Sequence, residues 1–565
     1  MSPSQKSSPK MNAKKLSEEV SVSPQIMPAD IAAIAAQGFK TIVCNRPDGE
    51  GTDQPLFAEI EAAARAAGLS VRYIPVSTGK VTDEDAAAFG DALSQMPKPV
   101  LAYCRTGTRS TTLWALSEGA RRPAAEIAER AKAAGYDVSG VLSRISNKGL
   151  IDTDHPVASH DIVIVGGGAA GAAVAASLLR RRPNLDIAVI EPAETHYYQP
   201  GWTMVGGGVF QKEETAKAMG AVLPRRVTWI KAAVAGFEPE ANCVVIEGCR
   251  TIRYKHLVVC PGIKLNWDGV EGLSQTLGKN GVTSNYRYDL APYTWELVRS
   301  LRSGRAIFTQ PPMPIKCAGA PQKAMYLAAD HWLRKKCLKD IDIGFYNAGG
   351  VLFGVADYVP ALMEYVKRYD VTLNFNHTLL AVDGPAKKAW FKKAGADGAA
   401  ETIETSFDMI HVCPPQQAPD FVRSSPLADT AGWVDVDPAT LRHKRYPNIF
   451  GLGDASNTPN AKTAAAARKQ APVCAENILF DMGLGSALCA YDGYGSCPLT
   501  VERGKIVLAE FCYGGKLAPS FPKYIIDGMQ PSRAAWILKE RILPPIYWKA
   551  MLKGREWMAR PKVMA

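Results

Sequence analysis

The chain has 565 residues, 47% of them hydrophobic, so it can bury sizeable cores and should form two or three domains. Its formal net charge of +11 is compatible with nucleic acid or an anionic membrane surface and by itself selects neither. No uninterrupted run of about 18 apolar residues predicts a spanning helix, the first residues lack the apolar region of a signal peptide, and no Cys or His spacing predicts a metal site.

Residues 1–16 are predicted to be a disordered tail, and residues 17–125 a small α/β domain. The expected strands are Val20–Val22, Thr41–Cys44, Val71–Ile74 and Val100–Tyr103, and the expected helices are Ala29–Gln37, Leu56–Ala67 and Asp83–Gln95. The last strand runs into the loop CRTGTRS and then a helix, so Cys104 lies in a strand–loop–helix turn. Backbone N–H groups and the arginines Arg105 and Arg109 can stabilise a thiolate and hold an anion there.

The segments TIVCNRP, IPV and CRTGTRS resemble the phosphatase-like domain of the beta-lactamase hydrolase-like family across most of residues 17–120. Tyrosine phosphatases place one residue more between cysteine and arginine than separates Cys104 from Arg109, and the loop resembles that of rhodanese sulfurtransferases. No general-acid aspartate is evident after IPV, so Asp83 or Asp85 would have to serve. The resemblance therefore implies sulfur transfer on a nucleophilic Cys104, with protein phosphatase activity as the alternative.

Residues 126–158 hold one helical segment followed by Gly, Ser, Asp and His, which predicts a linker. A dinucleotide-binding pattern follows: an apolar strand, Gly166, Gly168 and Gly171 in G-x-G-x-x-G spacing, a helix and a second strand that ends at Glu191. The glycines allow a tight turn, the approach of a pyrophosphate and close packing of helix on strand. Glu191 stands about 20 residues beyond the last glycine, where a carboxylate binds a ribose hydroxyl.

A second strand–turn–helix unit is predicted from the strand Ala306–Thr309 and the helix Ala324–Leu333. Its turn, QPPMPIKCAGAPQK, has no glycine fingerprint, and its prolines lack the N–H groups that a pyrophosphate needs. Cys317 stands in that turn. This combination predicts a flavin enzyme whose reductant is not NAD(P)H and reacts at sulfur.

The stretch IFGLGDASNTPNAK supplies two further candidate cofactor ligands. Asp454 ends an apolar strand before a helix that begins near Ala464, so its carboxylate suits a ribityl hydroxyl and the helix N-terminus suits a reduced flavin. Lys462 is expected to add positive charge at the pyrimidine edge. The alternatives are a helix cap for Asp454 and a solvated surface lysine for Lys462.

Nearly all of residues 159–565 resemble the sulfide:quinone oxidoreductase family, in the branch that includes the mitochondrial enzymes, through HYYQPGWTMVG, PIKCAGAPQK, WVDVDPATLRHKRYPNIFGLGD, NAKTAAA and YDGYGSCPL. The resemblance implies an α/β protein with a tandem Rossmann-like flavoprotein disulfide reductase fold over residues 159–500. It also implies a redox-active Cys317 near FAD, which would contact Gly168, Ala169, Ala170, Glu191, Gln199, the Val234 backbone, Asp454 and the Lys462 region.

At one position this chain departs from the mitochondrial enzymes that it resembles. They carry a second redox cysteine directly after the Gly-Asp pair, where this chain has Ala455. Cys413 is the first candidate to replace it, because it too ends a strand, Cys260 is the second, and Cys497 in YGSCPL is the third. The alternative for each of the three is a buried core thiol.

Residues 501–565 are predicted to be a membrane-association segment, because Trp, Leu and Ile alternate with Lys and Arg between Trp536 and Arg560. An amphipathic helix packed on the body, or a dimer contact, is the alternative. No DNA- or RNA-binding motif is present, so nucleic acid is not expected as a partner.

The expected function is oxidation of sulfide at a sulfur bridge between Cys317 and Cys413, with electrons passing through FAD to a quinone. The sulfane sulfur would go to a small thiol, to sulfite or to Cys104. The protein would lie peripherally on the cytoplasmic face of the inner membrane, and an oligomer is possible. An NADH:quinone oxidoreductase and a flavin sensor without turnover are the alternatives.

Overall fold

The computed structural model describes residues 13–51, 54–77, 81–119, 121–122, 124–138, 140–141, 153, 156–247, 250–395 and 400–564. Residues 1–12, most of the predicted tail, lie outside the described residues. The chain forms two compact units. The first contains the described residues of Met1–Ser159, Ala232–Tyr254 and Asp420–Ala428, and the second contains those of His160–Lys231, Lys255–Pro419 and Asp429–Ala565.

The first unit is built around a five-stranded sheet. In spatial order its strands are Lys14–Lys15, Val20–Ser23, Val100–Tyr103, Thr41–Cys44 and Ser70–Tyr73. The pair at the Lys14 edge is antiparallel and all other pairs are parallel. Among the described residues of this unit, α-helices span Ile31–Ala36, Phe57–Ala66, Asp83–Gln95, Thr108–Glu118, Ala124–Ala133 and Asp420–Arg423. This unit is therefore an α/β domain, as the sequence predicts.

Apolar side chains of these strands alternate between two cores because successive residues of a strand face opposite sides. Ile42 and Leu101 belong to one core, and Val43 and Ala102 to the other. The second core also includes buried side chains of the helix Ala124–Ala133, namely Ile127 and Ala131. The start of the predicted linker 126–158 is thus part of a folded core.

The same unit holds an antiparallel set of strands from the middle of the chain. Val234–Glu238 pairs with Cys243–Ile246, which pairs with the first half of Arg250–Val259. Val234 opens the first of these strands, opposite Ile246.

The second unit contains two sheets of mainly parallel strands. In the first, the strands Thr228–Ile230, Ile187–Ile190 and Ala158–Val165 are neighbours, and the end of Arg250–Val259 pairs with Ile449–Gly451. The helices Ala169–Arg181 and Ala464–Asp481 belong to its core, which contains Val174, Leu178 and Ile478. This is the strand–helix–strand unit that the glycine pattern predicts.

The second sheet is wholly parallel, in the order Val282–Thr283, Met409–His411, Gly304–Gln310, Ile341–Asn347 and Val371–Phe375. Its helices are Ala291–Ser300, Ala320–Arg334 and Val359–Arg368. A three-stranded antiparallel sheet, His377–Asp383, Lys388–Ala394 and Ala400–Ser406, follows in the chain. A hairpin of Gly495–Glu502 and Lys505–Phe511 adds Leu499 and Val507 to the core of this part.

The C-terminal segment folds as three successive helical turns or helices, Arg533–Ile537, the π-helix Leu538–Ile542 and Leu543–Lys549. Ala535, Trp536 and Tyr547 are buried, and the Tyr547 hydroxyl lies 2.7 Å from His196 Nε2. Much of the predicted membrane segment therefore packs on the second unit. Within the part of the chain that the structure describes, no helix combines the length and apolarity that crossing a bilayer requires.

Candidate active site

The glycine-rich turn lies at the end of the strand Ala158–Val165 and has little room for side chains on its inner side. Gly166 has φ +99°, and a Cβ there would stand 2.6 Å from the carbonyl oxygen of Cys260. A Cβ on Gly171 would stand 1.9 Å from the carbonyl oxygen of Gly166. In contrast, a Cβ on Gly168 would meet nothing within 4 Å, so the outer side at the helix N-terminus is open. Ala169 and Ala170 begin that helix.

Glu191 lies against this turn, as the sequence predicts. Its carboxylate accepts hydrogen bonds of 2.8 Å from the backbone N–H groups of Gly167 and Ala193. These two bonds fix the carboxylate beside the open helix N-terminus, where a ribose hydroxyl can reach it.

Asp454 lies in the turn Gly453–Ala455 that follows the strand Ile449–Gly451. No described side chain or backbone N–H donates a hydrogen bond to its carboxylate. Burial raises the pKa of this carboxyl, while the charges of Lys462 and Lys316 oppose the rise. A carboxylate held this way without a hydrogen-bond donor fits a ligand that brings hydroxyl groups, as the ribityl chain of FAD does.

Lys462 is buried and is not a surface lysine. Its Nζ donates to the carbonyl oxygens of Asp454 at 2.9 Å and Ser456 at 2.7 Å, and it lies 4.1 Å from the centre of the Trp433 ring. Burial lowers the pKa of Lys462 to about 8. The glycine turn, the two carboxylates and this lysine together fit a flavin dinucleotide.

The turn that carries Cys317 is attached to the Lys462 segment by backbone hydrogen bonding. The Cys317 N–H donates to the Lys462 carbonyl at 2.8 Å, and the Ala320 N–H donates to the Cys317 carbonyl at 2.7 Å. Cys317 itself has φ +49°, in the left-handed region. On the same turn, the Nζ of Lys316 donates to the side-chain oxygen of Gln199 at 2.6 Å. Thus the structure brings Gln199, Cys317, Asp454 and Lys462 into one connected region.

The sulfur of Cys317 faces a second cysteine and a buried lysine. Cys497, on the strand Gly495–Glu502, places its Sγ 3.6 Å from Cys317 Sγ. Lys323, on the helix Ala320–Arg334, donates to Cys317 Sγ at 3.0 Å and to Cys497 Sγ at 3.7 Å. Sequence reasoning missed Lys323, although a lysine among the apolar residues of this helix is a visible signal.

The electrostatics of this cluster favour a thiolate at Cys317. Its hydrogen bond with Cys497 and the charge of Lys323 hold the pKa of the Cys317 thiol well below the ordinary value. The same hydrogen bond and burial hold the pKa of the Cys497 thiol well above it. Burial alone would lower the pKa of Lys323, but the two sulfurs raise it, so the lysine stays charged.

Lys539 brings a further amino group to the cluster from the C-terminal segment. The sequence reading places it on a membrane-facing surface, yet its side chain is only 4% exposed and donates to the Pro200 carbonyl. Burial and the charge of Lys323 lower the pKa of Lys539 to about 7, against the opposing effect of the two sulfurs.

The other two candidate cysteines have different surroundings. Cys413 packs in the same cluster as Cys317, but its sulfur accepts a hydrogen bond from Gln416 at 3.6 Å, and burial raises its pKa to about 12. Cys260 is buried under the glycine turn, where its sulfur donates to the Gly166 carbonyl. The geometry therefore favours Cys497 over Cys413, the first candidate from the sequence. Val234, the remaining predicted contact, lies in the first unit, and its role stays a prediction.

A separate cysteine site lies in the first unit. Cys104 follows the strand Val100–Tyr103, and the Gly107 N–H donates to its sulfur at 3.1 Å. The Arg109 guanidinium is held by both carboxylate oxygens of Glu50, at 2.9 and 2.7 Å. Burial alone would raise the pKa of Glu50, but Arg109 and Arg46 lower it, so the carboxylate is charged. A phosphate dianion would have to displace Glu50 to bind Arg109.

Two family models match the chain. Residues 160–310 match the pyridine nucleotide-disulphide oxidoreductase model, and residues 12–121 match the phosphatase-like domain of beta-lactamase hydrolase-like protein. These matches confirm the predicted fold class, a phosphatase-like α/β domain followed by a Rossmann-like oxidoreductase fold.

Individual proteins give the same division. The chain is 44% identical over 379 residues to the mitochondrial sulfide:quinone oxidoreductase of Dictyostelium discoideum. The matched region covers 66% of this chain and 81% of that protein. It is 38% identical over 130 residues to the beta-lactamase hydrolase-like protein of Agrobacterium fabrum, covering 23% of this chain and 30% of that protein. The solved sulfide:quinone oxidoreductase of the hyperthermophilic bacterium Aquifex aeolicus has a TM-score of 0.58 at 19% identity, covers 70% of this chain and 92% of that one, and shares the fold.

Lys323→Met tests the electrostatic assignment at Cys317. Loss of the ammonium group removes a charge that stabilises the thiolate, so the pKa of Cys317 rises and its alkylation by iodoacetamide shifts to higher pH. Mass spectrometry of the Cys317 peptide over a pH series measures this shift. Lys335→Met, which removes an exposed lysine from the end of the same helix, should leave the profile unchanged. An unchanged profile in Lys323→Met would contradict the assignment.

Proposed function

The chain belongs to the sulfide:quinone oxidoreductase family, and we propose that it oxidises sulfide to sulfane sulfur at a sulfur bridge that includes Cys317 and reduces a quinone. As a member of this family it is an FAD-dependent oxidoreductase, which agrees with the cofactor predicted from its sequence. The observation that carries the proposal is the Cys317 sulfur, 3.0 Å from the Lys323 ammonium, in the turn where a second dinucleotide fold would bind NAD(P)H.

The residues proposed to hold FAD divide by the part of the cofactor they suit. The turn from Gly166 to Gly171 and the helix N-terminus at Ala169 and Ala170 suit the pyrophosphate, and Glu191 suits a ribose. Asp454 suits the ribityl chain. Lys462 and Gln199 lie next to the turn that carries Cys317. FAD supplies an acceptor for two electrons that can pass them on to a quinone.

The chain's own charges favour binding of sulfide as HS⁻. Lys323, Lys539 and Lys316 interact with the cysteine cluster, and their ammonium groups attract the anion. Lys323 also stabilises the thiolate that leaves when a sulfur bridge to Cys317 is opened, because it is already hydrogen bonded to that sulfur.

NADH:quinone oxidoreductase activity is the less favoured of the two functions considered for this fold. The backbone N–H groups of Cys317 and Ala320 are already used within the turn and by the Lys462 carbonyl. Pro311, Pro312 and Pro314 have no N–H to offer. A nicotinamide pyrophosphate would therefore find few donors at this helix N-terminus.

Stopped-flow absorbance of the FAD-loaded protein tests the proposed function. Sulfide should bleach the flavin, a quinone should restore its colour over repeated turnovers, and NADH should do neither. Cys317→Ser should slow the bleaching by on the order of 100-fold or more, because the sulfur bridge that HS⁻ opens can no longer form. Cys512→Ser, a change at a half-buried cysteine that packs against the core of the Ala169–Arg181 helix, is the control. Rapid bleaching by NADH, bleaching without quinone turnover, or wild-type rates in Cys317→Ser would contradict the proposal.

We also propose that Cys104 carries sulfane sulfur produced at Cys317. The Gly107 N–H on its sulfur and the neighbouring N-terminus of the helix Thr108–Glu118 can stabilise a thiolate or persulfide. The occupation of Arg109 by Glu50 disfavours the phosphatase alternative. A small thiol or sulfite as the final acceptor remains a prediction.

Persulfide mapping in the full chain tests this transfer. After turnover with sulfide and quinone, alkylation and mass spectrometry should find an added sulfur on the Cys104 peptide. Cys317→Ser should abolish that addition, since no sulfane sulfur is made. Cys44, a buried thiol of the same unit whose pKa burial raises to about 11, should stay unmodified in both proteins. Equal labelling of Cys104 with and without Cys317, or Cys104-dependent hydrolysis of p-nitrophenyl phosphate, would contradict the transfer.

Peripheral membrane binding through the C-terminal segment is proposed as well, because a quinone is lipid soluble. Ile537 and Ile542 are exposed at 41% and 42%, and the nearby Arg541 side chain is exposed as well. Apolar and basic groups side by side favour the interface of an anionic bilayer. The cytoplasmic face of the membrane and an oligomeric state stay predictions.

Co-sedimentation with vesicles of phosphatidylcholine and phosphatidylglycerol measures this binding. Ile537→Glu combined with Ile542→Glu should lower the bound fraction, because two charged groups would enter the apolar boundary. Val351→Glu, a change at another exposed apolar residue, should bind like the wild type. Equal binding of all three proteins would rule out this surface.

A further inference from the structure

The sequence makes Cys497 only the third candidate for the second redox cysteine. Its sulfur nevertheless lies beside the proposed reactive thiol, Cys317. It stands in the middle of a hairpin strand, paired with Ala509, and is buried. The position after the Gly453-Asp454 pair is Ala455, which is also buried. An alanine has no thiol to offer Cys317. Cys497 is 180 residues away in the chain and 3.6 Å away between sulfurs.

The distance and the two backbones suit a reversible bond between the two sulfurs. A disulfide bond is about 2.05 Å long, so the sulfurs need to approach by a small movement, and an inserted sulfur atom needs less. Cys497 is on a paired strand, while Cys317 lies in an irregular turn with positive φ. The turn can therefore adjust while the strand stays fixed.

Gly319 keeps the space between the turn and the strand free for this contact. A Cβ at Gly319 would stand 2.4 Å from Cys497 Sγ and 2.5 Å from a methyl group of Leu499. The backbone of Gly319, at φ −83° and ψ −7°, is one that alanine readily adopts. The absence of a side chain at Gly319 thus serves the approach of Cys497 and not the backbone conformation.

Lys323 makes the two sulfurs unequal. Its Nζ is closer to Cys317 than to Cys497, at 3.0 Å against 3.7 Å. The charge therefore stabilises a thiolate on Cys317 more than on Cys497. In a bridge between them, Cys317 is the better leaving group and Cys497 the sulfur that a nucleophile attacks.

We propose that Cys497 is the second redox cysteine of this protein and the one that carries the persulfide. This assignment rests on the proposed function. In its first step, HS⁻ attacks Cys497 Sγ of the Cys317–Cys497 disulfide. One S–S bond breaks and another forms, which leaves Cys497–S–SH and the Cys317 thiolate.

The cycle then returns to the disulfide with its atoms and electrons balanced. A thiol or sulfite acceptor takes the outer sulfur of Cys497–S–SH and leaves the Cys497 thiol. The Cys317 thiolate and the Cys497 thiol re-form their bond and release two electrons and one proton. The quinone reduction of the proposed function takes up those electrons.

Disulfide mapping of the full-length protein tests this pairing apart from turnover. Wild-type protein oxidised by quinone and digested without reductant should give a peptide that joins Cys317 to Cys497, as a disulfide or with one sulfur inserted. Cys497→Ser should lose this peptide and slow sulfide bleaching of the flavin by on the order of 100-fold or more. Cys413→Ser, the matched change at the other buried cysteine of this region, should retain the joined peptide.

Gly319→Ala gives a second test that keeps both cysteines. Its methyl group would enter the space of Cys497 Sγ, so the yield of the joined peptide and the rate of bleaching should both fall. A peptide joining Cys317 to Cys413, or wild-type bleaching in Cys497→Ser beside an inactive Cys317→Ser, overturns the assignment of Cys497 alone. A wild-type protein that sulfide fails to bleach overturns the proposed function and this assignment together.

Discussion

The chemistry proposed for this protein depends on one buried ammonium group placed between two sulfurs. Lys323 donates to Cys317 at 3.0 Å and to Cys497 at 3.7 Å, with its side chain 3% exposed. A buried lysine is costly unless a partner anion keeps it charged, and here the Cys317 thiolate is that anion. The lysine and the thiolate therefore maintain each other's ionised forms. Without this pair, Cys317 would be a half-buried thiol with no hydrogen-bonded ammonium group to stabilise its thiolate.

The fold places this pair next to the segment of Lys462, one of the residues proposed to hold FAD. The helix Ala320–Arg334 supplies Lys323, and the turn that directly precedes this helix supplies Cys317. The hairpin strand Gly495–Glu502 supplies Cys497. Backbone pairing between Lys316 and Lys462, which includes the hydrogen bond from the Cys317 N–H to the Lys462 carbonyl, attaches that turn to the segment that follows Asp454. The turn that would carry a nucleotide in a second dinucleotide fold thereby holds the cysteine for which sulfur chemistry is proposed.

Features that depend on local sequence were predictable, and features that depend on long-range packing were not. The glycine turn, Glu191, Asp454 and Cys317 stand in short motifs whose chemistry is readable from spacing, and most strands of the first unit were predicted within a residue or two of their observed ends. The sequence favours Cys413 over Cys497 because Cys413 ends a strand, and only the packing of the hairpin shows which sulfur meets Cys317. The alternation of apolar and basic residues in the C-terminal segment predicts basic side chains at a membrane surface, but tertiary packing buries Lys539.

An experimental structure of the FAD-loaded protein soaked with sulfide tests the central claim most directly. The account predicts that Cys317 Sγ lies against the isoalloxazine ring and that electron density joins it to Cys497, directly or through an added sulfur atom. A Cys317 sulfur remote from the flavin would contradict the account, as would a turn opened to bind a nicotinamide dinucleotide.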